Sequence, residues 1–145
     1  MRYLSGYFLI WVIVCLAWVS LGAETNAAEV LPPEPGIETT IQSQIDAFLA
    51  DDFPKAFTFA SPNIRMLFGS PERFGAMVRQ GYPMVWRPGE VRFLELRDID
   101  GALWQKVLIR DQSGRLHILD YQMVETGDGW RINGVQLLRP PGVGA

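Results

Sequence analysis

The chain has 145 residues, 48% of them hydrophobic, and a formal net charge of −3 at pH 7. This length suits one domain of the commonest size with no room for a second, and the composition is too apolar for intrinsic disorder. The acidic balance argues against nucleic acid as the main partner.

Met1-Arg2 followed by the unbroken apolar run from Tyr7 to Val19 reads as an export signal over residues 1–23. Cleavage after Gly22 or after Ala27 satisfies the small-x-small rule. Residues 4–23 are also just long enough to cross a bilayer, so the alternative is an uncleaved signal anchor in the inner membrane. Both readings place the domain outside the cytoplasm, periplasmic or secreted, because no basic residue follows Arg2 until Lys55. The single cysteine, Cys15, falls inside the leader, and Val12-Ile13-Val14 before it is no lipobox. The exported domain is therefore expected to form no disulfide and no thiolate metal site.

Residues 24–36, with Pro32-Pro33-Glu34-Pro35-Gly36, read as an extended, poorly ordered linker. The domain proper is expected over 37–138, with a flexible tail at 139–145. Ile37, Ile41, Ile45, Phe48 and Leu49 recur on one helical stripe ending near Asp51. Asp52 with Pro54, Ser61-Pro62 and Ser70-Pro71 are three capped helix starts, and Gly69 and Gly81 are natural ends for the second and third. Charge along this half is uneven. Seven acids and no base stand between Glu24 and Asp52, and Arg65, Arg73, Arg79, Arg87, Arg92 and Arg97 cluster after them. A solvated surface is the plain reading, and an anion-binding patch is the other.

After Pro88-Gly89 the period changes to two. Runs at 91–99, 102–110, 115–125 and 130–138 are separated by the turn sequences Asp100-Gly101, Asp111-Gln112-Ser113-Gly114 and Thr126-Gly127-Asp128-Gly129. The expected sheet is a four-stranded antiparallel meander. Pairing Ile99 with Ala102, Arg110 with Arg115 and Glu125 with Trp130 assigns each side chain to a face. One face carries Leu94, Leu96, Val107, Ile109, Leu116, Ile118, Val135 and Leu137, with Gln105, Asp120, Gln122 and Asn133 beside them. The other carries Trp104, Tyr121, Met123, Trp130 and Ile132 among Glu95, Lys106, Arg97 and His117. The aliphatic face is the better core, and the helices are expected to pack there. A bulge at Asn133-Gly134 would change the last strand alone. The aromatic face would then stay wet, and Trp104, Tyr121, Met123 and Ile132 on it are expected to form a homodimer contact.

Helices first, then a meander ending in Asp128-Gly129-Trp130-Arg131-Ile132-Asn133-Gly134-Val135, resembles the NTF2-like (cystatin-like) α+β cone. More narrowly, Ala47-Phe48-Leu49-Ala50-Asp51-Asp52, Ala56-Phe57-Thr58-Phe59-Ala60-Ser61 and Gln105-Lys106-Val107-Leu108 resemble the bacterial exported family called domain of unknown function 4864. The resemblance implies N-terminal helices packed on a curved sheet. It implies no reaction, since the wider superfamily holds isomerases, dehydratases, cyclases and carrier domains on one fold.

His117 and Asp120 stand three apart on a strand and point to opposite faces, so they cannot form a catalytic pair. His117 alone cannot build a zinc site, and neither metal nor cofactor is expected. Asp120, grouped with Gln105, Gln122 and Asn133, is the one candidate general base, by analogy with the superfamily's isomerases. Its plainer role is in a buried polar network. Tyr82 and Trp86 are candidates to line a pocket with those amides, or else to fill the core. One acid without a second titratable group on its face favours a non-catalytic protein. It is expected to bind a small apolar ligand or an envelope protein, with an isomerase or dehydratase using Asp120 as the alternative.

Overall fold

Helix α1 (Pro35–Leu49) starts where the Glu34 carboxylate accepts from Gly36 N at 3.1 Å and Pro35 occupies the first turn, whose amides have no helical partner anyway. A computed structural model describes residues 28–139. The expected leader, the first part of the linker and residues 140–145 of the tail lie outside them. The stripe Ile37, Ile41, Ile45 and Phe48 is fully buried.

Asp52, Ser61 and Ser70 each cap a helix as expected. Their side chains accept from Lys55 N (3.1 Å), Ile64 N (3.2 Å) and Arg73 N (3.3 Å), opening α2 (Phe53–Thr58), α3 (Pro62–Phe68) and α4 (Pro71–Gly81). Gly69, at φ 78°, ends α3 in the left-handed conformation. Gly75 inside α4 has a packing reason, because a Cβ there would run into the Phe53 ring of α2. A one-turn helix, α5 (Pro83–Trp86), precedes the sheet.

The sheet is antiparallel and open, in the order β1-β2-β3-β4-β5, from β1 (Glu29–Leu31), β2 (Pro88–Ile99), β3 (Ala102–Asp111), β4 (Leu116–Thr126) and β5 (Gly129–Leu138). The α+β class stands and the strand number is corrected from four to five. Glu29-Val30-Leu31, inside the expected linker, pairs with Asp98, Arg97 and Leu96 on the free edge of β2. Three residues ahead of a Pro-Pro pair are too few to show a period of two, and only the edge they meet makes them a strand.

The β3–β4 register is the larger correction. Arg110 pairs with Leu116, not Arg115. Asp111 Oδ1 accepts from Ser113 N, Ser113 Oγ and Arg115 N at 2.9, 2.6 and 2.9 Å, which draws Arg115 into the turn, and Gly114 closes it at φ 88°. One residue of slip moves every β4 side chain to the other face relative to β3. Gln105, Val107 and Ile109 therefore share the helix side with Tyr121, Leu119 and His117, and Leu119 and Tyr121 are fully buried. Of the expected aliphatic face, Leu94, Leu116 and Leu137 remain 36%, 43% and 49% exposed.

Besides a register shift between Pro88 and Glu90 at the start of β2, two bulges complete the rearrangement. The first, between Phe93 and Leu96, separates Leu94 from Leu96, and Gln105 Nε2 fills it by donating to Leu94 O at 3.0 Å and Lys106 O at 2.9 Å. The second leaves Asn133 as the extra residue, since Gln122 pairs with Gly134 and Met123 with Ile132. The helical half is tied to β5 by Ser61 N to Ile132 O (2.8 Å) and Ile132 N to Phe59 O (2.9 Å).

Candidate functional site

The helices and the sheet do not close completely on each other. A cavity of about 250 Å³ remains between α1, α3, α4 and α5 on one side and β4 and β5 on the other. Gln44 and Phe48 come from α1, Ile64, Leu67 and Phe68 from α3, Phe74, Met77 and Val78 from α4, and Tyr121, Ile132 and Val135 from the sheet. The Phe74 ring centre lies 5.8 Å from that of Phe48, tilted, and 5.8 Å from that of Phe68, edge-on, which builds one aromatic wall. The opening follows from α3, a seven-residue helix with no buried residue. Leu67 lines the cavity yet is 72% exposed, so the cavity reaches the surface beside it, next to Met66 at 78%.

None of the lining residues carries a charge. Three have polar side chains beyond the backbone: Gln44, Tyr82 and Tyr121. Gln44 Nε2 donates to Ala56 O at 3.1 Å, and Tyr82 Oη donates to Val135 O at 2.9 Å. The Tyr121 hydroxyl is buried and has no hydrogen-bond partner among the described residues. Burial pushes its proton dissociation well above the ordinary phenol value, with a smaller push from the Tyr82 phenol. The Tyr121 hydroxyl is thus a neutral donor, shut off from solvent and without a partner among the described residues.

Of the six residues expected at the site, only Tyr82 lines this cavity. Asp120 lies on the sheet face away from the helices, with a carboxylate held by Arg97 through Nη1–Oδ1 (2.9 Å) and Nη2–Oδ2 (2.6 Å). That pairing pushes the Arg97 dissociation up against the desolvation that opposes it. Asp120 and Gln105 were expected on one face and stand on opposite faces, because of the β3–β4 slip. Alternation puts Gln122 with Asp120. The Asn133 amide accepts from Ser61 Oγ (2.8 Å) and donates to Gln122 Oε1 (3.1 Å), which stitches the bulge to the α3 cap. These amides are structural clasps rather than one network around a carboxylate.

Trp86 does not line the cavity and packs half-buried against the core. Its Nε1 donates to Asp51 Oδ1 at 2.9 Å, and Arg87 stacks over its ring while bonding both Asp51 oxygens (2.8 and 2.9 Å) and Phe48 O (2.9 Å). The hydrogen bond from Trp86, then that from Arg87, lowers the Asp51 pKa. This cluster satisfies the C-terminal end of α1. His117 pairs with Asp111 at 2.8 Å beside the β3–β4 turn. The expected dimer patch does not form as one surface, since Tyr121, Met123 and Ile132 are buried under the helices, apart from Trp104.

Sequence reasoning missed Tyr121 and Gln44. The signal for Tyr121 was the Asp111-x-Ser113-Gly114 turn, whose side-chain capping of Arg115 makes an odd loop. Gln44 stands among the apolar positions of α1 and is 3% exposed.

Residues 31–145 match the family described as a domain of unknown function (DUF4864), and the chain belongs to it. No curated protein and no solved structure matches the chain.

Proposed function

We propose that this member of the domain of unknown function 4864 family is an exported, non-catalytic binding domain of NTF2-like type that holds a small apolar ligand in the cavity under α3. The observation that carries the reading is the cavity of about 250 Å³ with an uncharged, largely aromatic and aliphatic lining that reaches the surface at Leu67. Apolar cavities of about 150 Å³ already stay dry and take up benzene, so this one has room for a larger hydrocarbon frame. The order of elements, a short edge strand, then helices, then an antiparallel meander with the cavity between helices and sheet, supports the NTF2-like reading. Proton transfer by Asp120 has no such support, since its carboxylate is engaged by Arg97 and does not line the cavity.

The location rests on the leader, with the inner-membrane anchor over residues 4–23 as the other form of the same topology. Native mass spectrometry of the protein purified from its own cell envelope tests binding and leader cleavage together. A retained small mass that organic solvent removes is expected. A bare polypeptide that no apolar compound stabilises against heat would refute the binder. A reporter fused after Ala145 should be active outside the cytoplasm, and activity confined to the cytoplasm would refute export.

A further inference from the structure

We propose that α3 lies on the surface of a phospholipid bilayer, with Met66 and Leu67 among the acyl chains and residues 4–23 as the tether that holds it there, and that the cavity beneath α3 takes its apolar ligand from the lipid. The inference rests on the binding reading above, in its anchored form, and deepens it.

Met66 and Leu67 are the two most exposed large apolar side chains among the described residues, and they adjoin in the chain. At about 100° per residue, Met66 stands across α3 from Ile64 and Phe68, which line the cavity, and Leu67 stands between the two sides. The helix is therefore apolar towards solvent as well as towards the cavity, whereas a helix that only roofed the cavity would turn polar side chains outward. Charge supports lipid phosphates as the counterpart. In a chain of net charge −3, the stretch from Ser61 to Gly81 holds Arg65, Arg73 and Arg79 against Glu72 alone. Arg65 adjoins Met66 on α3, and Arg73 is exposed in the first turn of α4.

The sheet brings α3 and the tether to the same end of the domain. Glu29, Asp98, Leu103, Met123 and Ile132 pair in one row across the five strands, and Ala60, just before the α3 cap, bridges to Ile132. At about 4.8 Å per strand the row is roughly 20 Å long, and residues 24–28 between the anchor and Glu29 reach up to about 18 Å. One plane of lipid can therefore meet both. A second copy of the chain is the weaker occupant, because a stable protein interface takes about 800 Å² from each partner, far more than two side chains supply. A tethered helix needs little area, since the tether makes the encounter intramolecular.

The test is spin-label accessibility in the full chain, reconstituted in vesicles of equal parts phosphatidylethanolamine and phosphatidylglycerol. With Cys15→Ser as background, a nitroxide is placed at Asn63→Cys, which stands between Met66 and Leu67 around α3 and is exposed, and in a second protein at Gln112→Cys, in the β3–β4 turn at the other end of the sheet. The label at 63 should meet dissolved oxygen more than a water-soluble nickel chelate, and the label at 112 the reverse. Burying one Leu or Met side chain is worth about tenfold or more in partition, so Met66→Gln/Leu67→Gln should shift the docked-to-free ratio at 63 towards water by about a hundredfold. An unchanged melting temperature shows that the fold is kept. A label at 63 as open to the chelate as that at 112 overturns the docking, and so does one shielded from both reagents, which means that protein covers α3. A leader found cleaved in the envelope removes the tether and overturns it as well. In each of these cases a small mass retained by the chain leaves the binder standing, whereas a docked α3 on a chain that no apolar compound stabilises refutes the binder and the uptake from lipid together.

Discussion

Removing the Asp120 charge isolates what the ion pair across the sheet contributes. Arg97 on β2 and Asp120 on β4 reach over β3, joined by two hydrogen bonds, with side chains only 9% and 7% exposed. Solvent screening is weak at that exposure, so the substitution leaves a guanidinium buried without its counter-charge. Breaking one side of such a pair costs about 3–5 kcal/mol. Asp120→Asn should fall near the lower end, because its amide oxygen still accepts one bond, and Asp120→Leu near the upper. At about 4 °C per kcal/mol for a domain of this size, the melting temperature should drop by roughly 12–20 °C. The double variant Arg97→Met/Asp120→Leu removes both charges and should recover most of the loss, since well-packed apolar replacements of buried pairs are often neutral or stabilising. Thermal melts at neutral pH with two spectroscopic probes decide the matter. An Asp120→Asn protein as stable as the wild type would falsify the claim that the pair is buried and coupled.

Three further outcomes are expected. Tyr121→Phe should stabilise the ligand-free domain by about 1 kcal/mol, because it deletes a buried hydroxyl with no partner among the described residues, and a lower melting temperature would mean that the hydroxyl is satisfied. Gly75→Ala should destabilise despite the helix-propensity gain of about 1 kcal/mol, since the new methyl meets the Phe53 ring and overpacking costs about 1–3 kcal/mol; a stabilised variant in chemical denaturation would show that α2 and α4 have slack there. The hydrogen bond from His117, then that from Ser113, holds the Asp111 carboxyl well below the usual carboxylate range. A group depressed on folding stabilises above its unfolded value and loses that contribution as pH falls below about 4, so Asp111→Asn should flatten the acid side of the stability profile, and an unchanged profile would refute the role of this turn.

The helical half was legible because its determinants are local. Asp52, Ser61 and Ser70 cap helices within three residues of themselves, and Gly69 stops α3 through its own φ. The α1 stripe repeats often enough to show its period. Two of the three hairpin registers were legible too, Ile99 pairing with Ala102 and Glu125 with Trp130 as turn length implied, whereas the β3–β4 turn was not. The site was not legible, because it depends on which of two alternating sets of side chains faces the helices. Residue type alone leaves Tyr82 between pocket and core, and the expected register places Tyr121 on the solvent side with Met123 and Ile132, whereas all three are buried under the helices.

By its own local chemistry, then, the chain determines helices before strands, their caps, the turns, the family and the exclusion of cysteine-based chemistry from the described domain. Tertiary structure decides the rest: that Glu29–Leu31 becomes a strand, that Asp120 meets Arg97, and that Tyr121 is buried on the helix side of the sheet. The physical reason is parity. A helix repeats over several residues and tolerates a boundary error, but a strand has a period of two, so one residue drawn into the Asp111–Arg115 turn exchanges the buried and outer faces of all that follows in β4.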